Sequence, residues 1–293
     1  MKKPHISIVY ALLAIVLWST IAVAFKIGLR NLSPVQFLFN GVLVSLILFF
    51  ALIVFQGKLS QIRKTKPKEL ALSALLGFLN PFLYYVVLLE AYNILLAQIA
   101  QPLNYTWPVV LVLLSIPILK QKIKTKNIFA ILISFLGVVV ISMQGETDLQ
   151  IKNPIGVVLA VGSSIIWALF WLLSVKDKRD PVIKLFMSFV FAFLFLSFYL
   201  FSISKLIIPD LEGLFASIYI GFFEMGFTFL LWLTALKLSP STDKISNLVF
   251  ISPFLSLFWI NIFLGEAILF STVIGIVLLI LGILLNRFFS REI

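Results

Sequence analysis

No cysteine occurs in the 293 residues. Disulfides, thiolate metal sites and thiol nucleophiles are thereby excluded. Histidine is almost as scarce: His5 stands alone near the N-terminus, without the partners that general-base or zinc chemistry requires. Acidic residues number 12 against 23 Lys and Arg. Asp148, Asp177, Asp180, Asp210 and Asp243 all fall between apolar blocks or at their edges, which leaves no aspartate pair for hydrolysis inside a membrane. HExxH, GxSxG and a glycine-rich phosphate loop are also missing. These absences remove metal-assisted hydrolysis, serine acyl transfer and nucleotide-driven work. The inventory implies a protein that is not an enzyme and holds no cofactor or metal.

What is present is apolar residue in bulk. Hydrophobic residues make up 61% of the chain and charged ones 12%, where soluble domains carry roughly a quarter charged. Blocks of about 20 apolar residues run over 6–27, 34–55, 70–92, 94–118, 127–143, 154–175, 182–204, 211–236, 245–264 and 267–286. The pattern predicts an all-α integral membrane protein with ten transmembrane helices in the lipid bilayer. Ten crossings put both termini on one side. With that side assigned to the cytoplasm, all Lys and Arg except Lys26, Arg30, Lys152 and Lys205 fall at cytoplasmic ends, as the positive-inside rule requires. The net charge of +11 is therefore topogenic, and no nucleic-acid partner is implied. A multi-pass protein of a plasma membrane, of prokaryotic inner-membrane type, is expected. Lys2, Lys3 and the Ala22-Val23-Ala24 trio imitate a secretory signal. The apolar run is long for one, and it has an internal counterpart, so the first span is expected to be retained.

That counterpart belongs to a repeat. "LWSTIAVAF" of span 1 lies on "IWALFWLLS" of span 6, pairing Trp18 with Trp167, and "PVQFLF" from Pro34 matches "PVIKLF" from Pro181. Gly77 pairs with Gly221, Pro108 with Pro253 and Gly137 with Gly282, all in the same order. The halves are expected at 1–145 and 146–293. Five crossings per half leave the second copy inverted, an arrangement in which transporters place their sites between the repeats. Since one chain holds both copies, a monomer suffices.

On these residues the chain resembles the ten-span drug/metabolite transporter superfamily built from two EamA-like repeats. Gly265-Glu266 matches a Gly-Glu that tends to close the fourth span of each repeat, whereas the aligned first-half pair is Lys120-Gln121. "LNYTWP" is similar to the Asn-Tyr-x-Trp-Pro segment of the aromatic amino acid exporter branch. The resemblance implies two inverted five-helix repeats around a central cavity lined by spans 1, 3, 4, 6, 8 and 9. It also implies secondary transport, by alternating access, of small amphiphilic metabolites such as aromatic or other amino acids.

Polar residues inside the spans are the candidate substrate contacts. Gln98, Gln101 and Tyr105 share a face of span 4 at helical spacing, with Asn104 beside them. Pro102 and Pro108 each free a backbone carbonyl there. Such a cluster either lines a hydrated cavity or bonds neighbouring spans, and its density favours the cavity. Trp107 either stacks on a planar solute or packs. Glu224 lies midway along span 8, where a carboxylate is costly unless hydrated, paired or protonated. It is expected to meet a substrate ammonium or a transported proton, with Gly221 and Thr228 on its face. The repeat sets Asn80 opposite it, and Tyr84 one turn beyond. Trp18 and Trp167 either form aromatic walls or serve helix packing or an interfacial belt, and Ser246 and Asn247 open span 9. Lys26, Glu90 and Glu266 sit near span ends and read as surface residues. Export of an organic cation remains the alternative, because one buried acid among aromatics suits a cation as well as a zwitterion. A selective channel would show rings of charge or carbonyl-rich filter loops, and the sequence has neither.

Overall fold

The computed structural model describes residues 4–107, 109–110, 113–114, 125–145, 153–174, 177–203, 208–238 and 248–290. Proline opens most of the long helices, at the position where a missing N–H costs nothing. They are α1 (Pro4–Gly28), α2 (Pro34–Phe55), α4 (Pro67–Gly77), α8 (Pro154–Ser174) and α9 (Pro181–Ile203), with the short α3 (Leu59–Arg63) between α2 and α4. Side chains cap two starts. Ser33 accepts from Gln36 N ahead of α2, and Asp210 accepts from Gly213 N at 2.8 Å ahead of α10 (Leu211–Tyr219). The remaining helices are α5 (Tyr84–Ile94), α6 (Ala97–Asn104), α7 (Thr125–Ser142), α11 (Phe227–Leu238), α12 (Ser252–Leu264) and α13 (Phe270–Ser290). No strand occurs among the described residues.

Among the described residues, six stretches are long and apolar enough to cross a bilayer: His5–Gly28, Pro34–Phe55, Pro67–Ile94, Pro154–Ser174, Pro181–Ser202 and Leu211–Ala235. Ile128–Ser142, Val249–Leu264 and Phe270–Asn286 are shorter apolar helices. The fold is thus an all-α membrane fold. The fourth apolar block appears as α6 with a few residues beyond it; Pro108 and the Lys120-Gln121 pair lie outside the described residues.

Two long helical stretches are broken in the same way. Between α4 and α5 the chain passes through a π-helical turn, Phe78–Leu83, in which Asn80 has extended dihedrals ahead of Pro81. Between α10 and α11 it passes through a second, Ile220–Glu224. Each break has a glycine in tight contact, Gly77 just ahead of the first and Gly221 within the second. A β-carbon on Gly77 would collide with the Ser188 carbonyl of α9, and one on Gly221 would sit 2.6 Å from the Gly41 carbonyl of α2. Span 3 therefore packs on span 7 as span 8 packs on span 2, which is the spatial form of the Gly77–Gly221 match in the sequence. Ser45 Oγ adds a 2.8 Å hydrogen bond to Gly221 O.

The most extensive helix pairs join first-half to second-half elements: α1 with α11 and α12, α2 with α9, α5 with α8, and α7 with α13. Small residues permit the closest of these approaches. On α7 and α13, a β-carbon at Gly137 would lie 2.6 Å from Gly275 O, and one at Gly275 would lie 2.8 Å from Gly137 O. Ser134 Oγ donates to Leu279 O across the same seam. Large side chains such as Phe198, Phe201, Phe215 and Phe129 point outward from the bundle, as expected where lipid is the solvent.

Polar loop contacts tie the two ends. At one end Asn31 bonds Asp210 at 2.5 Å. At the other, Lys58 bonds Asp180 at 2.7 Å, while Arg179 pairs with Asp177 at 2.5 Å and donates to Ser73 Oγ on α4 at 2.6 Å. Burial pushes the Asp177 carboxyl up, but hydrogen bonds from Arg179 outweigh it and hold the group below the usual 3.8.

Candidate functional site

Glu224, the last residue of the second π turn, is 7% exposed inside the bundle. Tyr85 OH donates to its Oε1 at 2.7 Å, and its Oε2 has no hydrogen-bond partner. Leaving a buried acceptor unpaired costs about 1–3 kcal/mol, so the free oxygen marks a place where a ligand or proton would be stabilising. The first π turn carries the matching anomaly. Asn80 is 1% exposed, and neither its Oδ1 nor its Nδ2 is bonded.

Next to Glu224 lies an aromatic and amide cluster, joined to it through Tyr85. The Tyr84 ring packs on Trp167 of α8 with centroids 4.7 Å apart and on Tyr85 at 4.7 Å edge-on. Trp167 also meets Phe170, Trp171 and Phe229. Tyr84 OH donates to Asn104 Oδ1 at 3.1 Å, and Asn104 Nδ2 donates to Ser163 Oγ of α8 at 2.8 Å. Thr106 Oγ1 lies 2.9 Å from Ser164 Oγ, a second tie between the fourth and sixth apolar blocks.

The structure sorts the span 4 residues. Both ends of the Gln98 amide are engaged, Nε2 with Ala267 O at 2.8 Å and Oε1 with Leu269 N at 2.9 Å. Gln98 and Asn104 thus make the interhelical bonds that were one of the two readings of this face. Gln101, 5% exposed, makes no side-chain hydrogen bond with a described residue. The Tyr105 phenol lies against Ser252 at the start of α12. Trp107 packs partly buried between the two apolar clusters of the bundle, and Trp18 contacts Trp232 at 5.3 Å rather than Trp167. Asn247, with Ser246, lies outside the described residues. A cavity of about 340 Å³ sits apart from Glu224, among Val109, Val110, Phe135, Val138, Val161 and Ile165, with Thr106 and Ser134 as the polar residues of a mainly apolar lining.

Three expectations are corrected, one from helical spacing and two from position near span ends. Thr228 does not turn its hydroxyl to Glu224; it donates to Phe223 O, five residues back. A π turn holds one residue more than an α turn, so positions beyond it rotate off the face that regular spacing assigns. The same rotation brings Tyr85 to Glu224, a contact the sequence pattern missed; an Asn-Pro inside an apolar span was the available signal. Lys26 and Glu266 are half-buried and bound to backbone rather than free at the surface. Lys26 Nζ donates to Tyr92 O at 2.8 Å and Leu95 O at 3.0 Å, and the Glu266 carboxylate accepts from Ala97 N at 2.9 Å and Gln98 N at 3.1 Å.

These features define a multi-span helical membrane protein whose interior holds a carboxylate with one free oxygen, set among phenols, an amide and an indole. The sequence model of the EamA-like transporter family matches residues 5–143 and again 154–288. The chain belongs to this family, in two repeats. It is 27% identical to an uncharacterized transporter of Clostridium kluyveri, with 98% of this chain and 93% of that protein covered. An uncharacterized transporter of Archaeoglobus fulgidus is 26% identical over 92% of this chain and 95% of its own. One from Bacillus subtilis is 22% identical, with 94% and 95% covered. A crystal structure at 18% identity aligns with a TM-score of 0.69 over 99% of both chains, which shows a shared fold. The protein is a membrane transporter and not an enzyme.

Proposed function

We propose that the chain is a secondary transporter of small amphiphilic metabolites, aromatic or other amino acids foremost, working by alternating access of two inverted five-span halves divided near residue 145. The observation that carries the reading is the Glu224 carboxylate, clamped through Oε1 by Tyr85 and free at Oε2. A substrate ammonium or a coupled proton satisfies that oxygen, and an acid held inside a membrane bundle is most often functional. Tyr84 and Trp167 supply a flat wall for an aromatic side chain. Asn80 and Gln101 supply free amides for a substrate carboxylate, and Tyr105, Trp107 and Trp18 extend the lining. Gln98, Asn104 and Thr228 hold its shape. Charge placement supports cytoplasmic termini in a cell membrane, and the monomer is the working unit.

Counterflow in proteoliposomes tests this. With unlabelled phenylalanine inside and labelled phenylalanine outside, saturable transient accumulation above protein-free vesicles is expected; its absence with folded, inserted protein removes phenylalanine as cargo. A second reading, export of an organic cation, is favoured by one feature: Glu224 has no described Lys or Arg among its partners. Lipophilic cations in the same assay separate the two.

A further inference from the structure

We infer that Glu266, Lys26 and Gln98 form a latch that holds one end of the transporter closed. The inference rests on the alternating-access reading and adds to it a defined gate.

Between α5 and α6 the chain breaks at Leu95 and Leu96, so a helix C-terminus and a helix N-terminus lie next to each other. Each presents unpaired backbone groups and a partial charge, negative at the first and positive at the second. Both are met by a side chain of the opposite sign. Lys26, near the end of α1, binds the Tyr92 and Leu95 carbonyls; Glu266, in the segment joining α12 to α13, binds the Ala97 and Gln98 N–H groups. Gln98 returns the contact by gripping Ala267 O and Leu269 N. Gly265, in the left-handed region at φ 67°, makes the turn that aims Glu266 back at α6, and Asn261 Nδ2 holds the Glu266 carbonyl at 3.1 Å.

The parties come from different halves: α1 and α6 from the first, the 265–269 segment from the second. Directly beneath, Ile99, Ala100 and Leu103 are fully buried, so no solute passes while the contacts hold. Opening this end requires α6 to leave the 265–269 segment. Each released group sits near the surface, where water replaces its partner, so the latch is reversible rather than permanent. The sequence makes it one-sided. The first-half residue aligned with Glu266 is the neutral Gln121, so the repeat does not duplicate this acid in the first half. Glu266 thereby sets which end is closed at rest.

The absence of native cysteine permits a direct test by single-cysteine labelling. Gln101→Cys places a thiol one turn below Gln98 without removing a described hydrogen bond. Ile208→Cys, at a position 92% exposed in the loop that meets Asn31 at the same end, reports which face of the membrane a reagent must approach. Ser134→Cys, buried in the α7–α13 seam, reports loss of fold. A membrane-impermeant maleimide is added from the side that labels Ile208→Cys. Labelling of Gln101→Cys is expected to be slow and to rise about fivefold or more with Glu266→Ala, the lower end of typical coupling between sites. Glu266→Gln, which keeps one acceptor, gives a smaller rise, and Ser134→Cys stays unlabelled in every background. An unchanged Gln101→Cys rate overturns the latch. A rise matched by Ser134→Cys also overturns it, because Glu266 then holds the fold and not a gate. The assay needs no cargo, so a failed phenylalanine counterflow leaves its outcome intact.

Discussion

Replacing Tyr85 by Phe removes one hydroxyl from a ring that is 0% exposed and deletes the 2.7 Å hydrogen bond to Glu224 Oε1. Since Oε2 already lacks a partner, the variant leaves the buried carboxyl with none. A hydrogen bond to a neutral group contributes about 0.5–1.5 kcal/mol and one to a charged group about 1.5–3 kcal/mol. The expected loss of stability is therefore about 1–2 kcal/mol, a fall of roughly 2–8 °C in the unfolding midpoint. The single variant alone does not prove the bond, because any core change can cost that much. A double-mutant cycle does. In Glu224→Leu the acceptor is gone and Tyr85 OH becomes the orphan, so adding Tyr85→Phe there removes an unpaired donor and is expected to be neutral or stabilising. Thermal unfolding of the four proteins in detergent reads both steps. Equal destabilisation by Tyr85→Phe in the two backgrounds would refute the reasoning.

Other predictions follow from packing and charge. Gly275→Ala puts a methyl group 2.8 Å from the Gly137 carbonyl and is expected to cost about 1–3 kcal/mol, whereas Gly162→Ala, where a β-carbon meets nothing within 4 Å, is expected to raise the unfolding midpoint slightly, by about 0.4–1 kcal/mol of stability. Asp177→Asn weakens the Arg179 contact and is expected to cost about 1–3 kcal/mol at neutral pH. Because the folded Asp177 carboxyl lies below 3.8, its contribution is fully present above that pH and is lost as pH falls through the lower folded value. Unfolding midpoints of wild type and Asp177→Asn should thus differ equally at pH 5 and pH 7. A gap that closes between those values would contradict the assignment.

Much of the architecture was legible because its causes are local. Bilayer thickness fixes the length of an apolar run, and proline marks helix starts, so most blocks reappear within a few residues of their expected limits. The Gly77–Gly221 match became a pair of equivalent tight contacts because a glycine that lets two backbones meet has the same role in each repeat. Glu224 was conspicuous for the energy a buried acid costs. What escaped has two physical sources. Helical periodicity assumes a constant twist, and the π turns add a residue, which hid Tyr85 and misplaced Thr228. Contacts between distant segments leave no periodic trace. Glu266 and Gln98 are 168 residues apart, and nothing near either one announces the other. An acid beside a span end therefore read as exposed, and the span 4 amides read as one cavity face although Gln98 and Asn104 are bound to protein.

The central claim is that the Glu224 carboxylate is where cargo or its coupled proton is held. Counterflow by wild type and Glu224→Gln, reconstituted at equal density and run over a range of pH, tests it most directly. The account predicts saturable accumulation by wild type and its loss, or the loss of its pH dependence, in Glu224→Gln. Identical transport by the two proteins at every pH would contradict it.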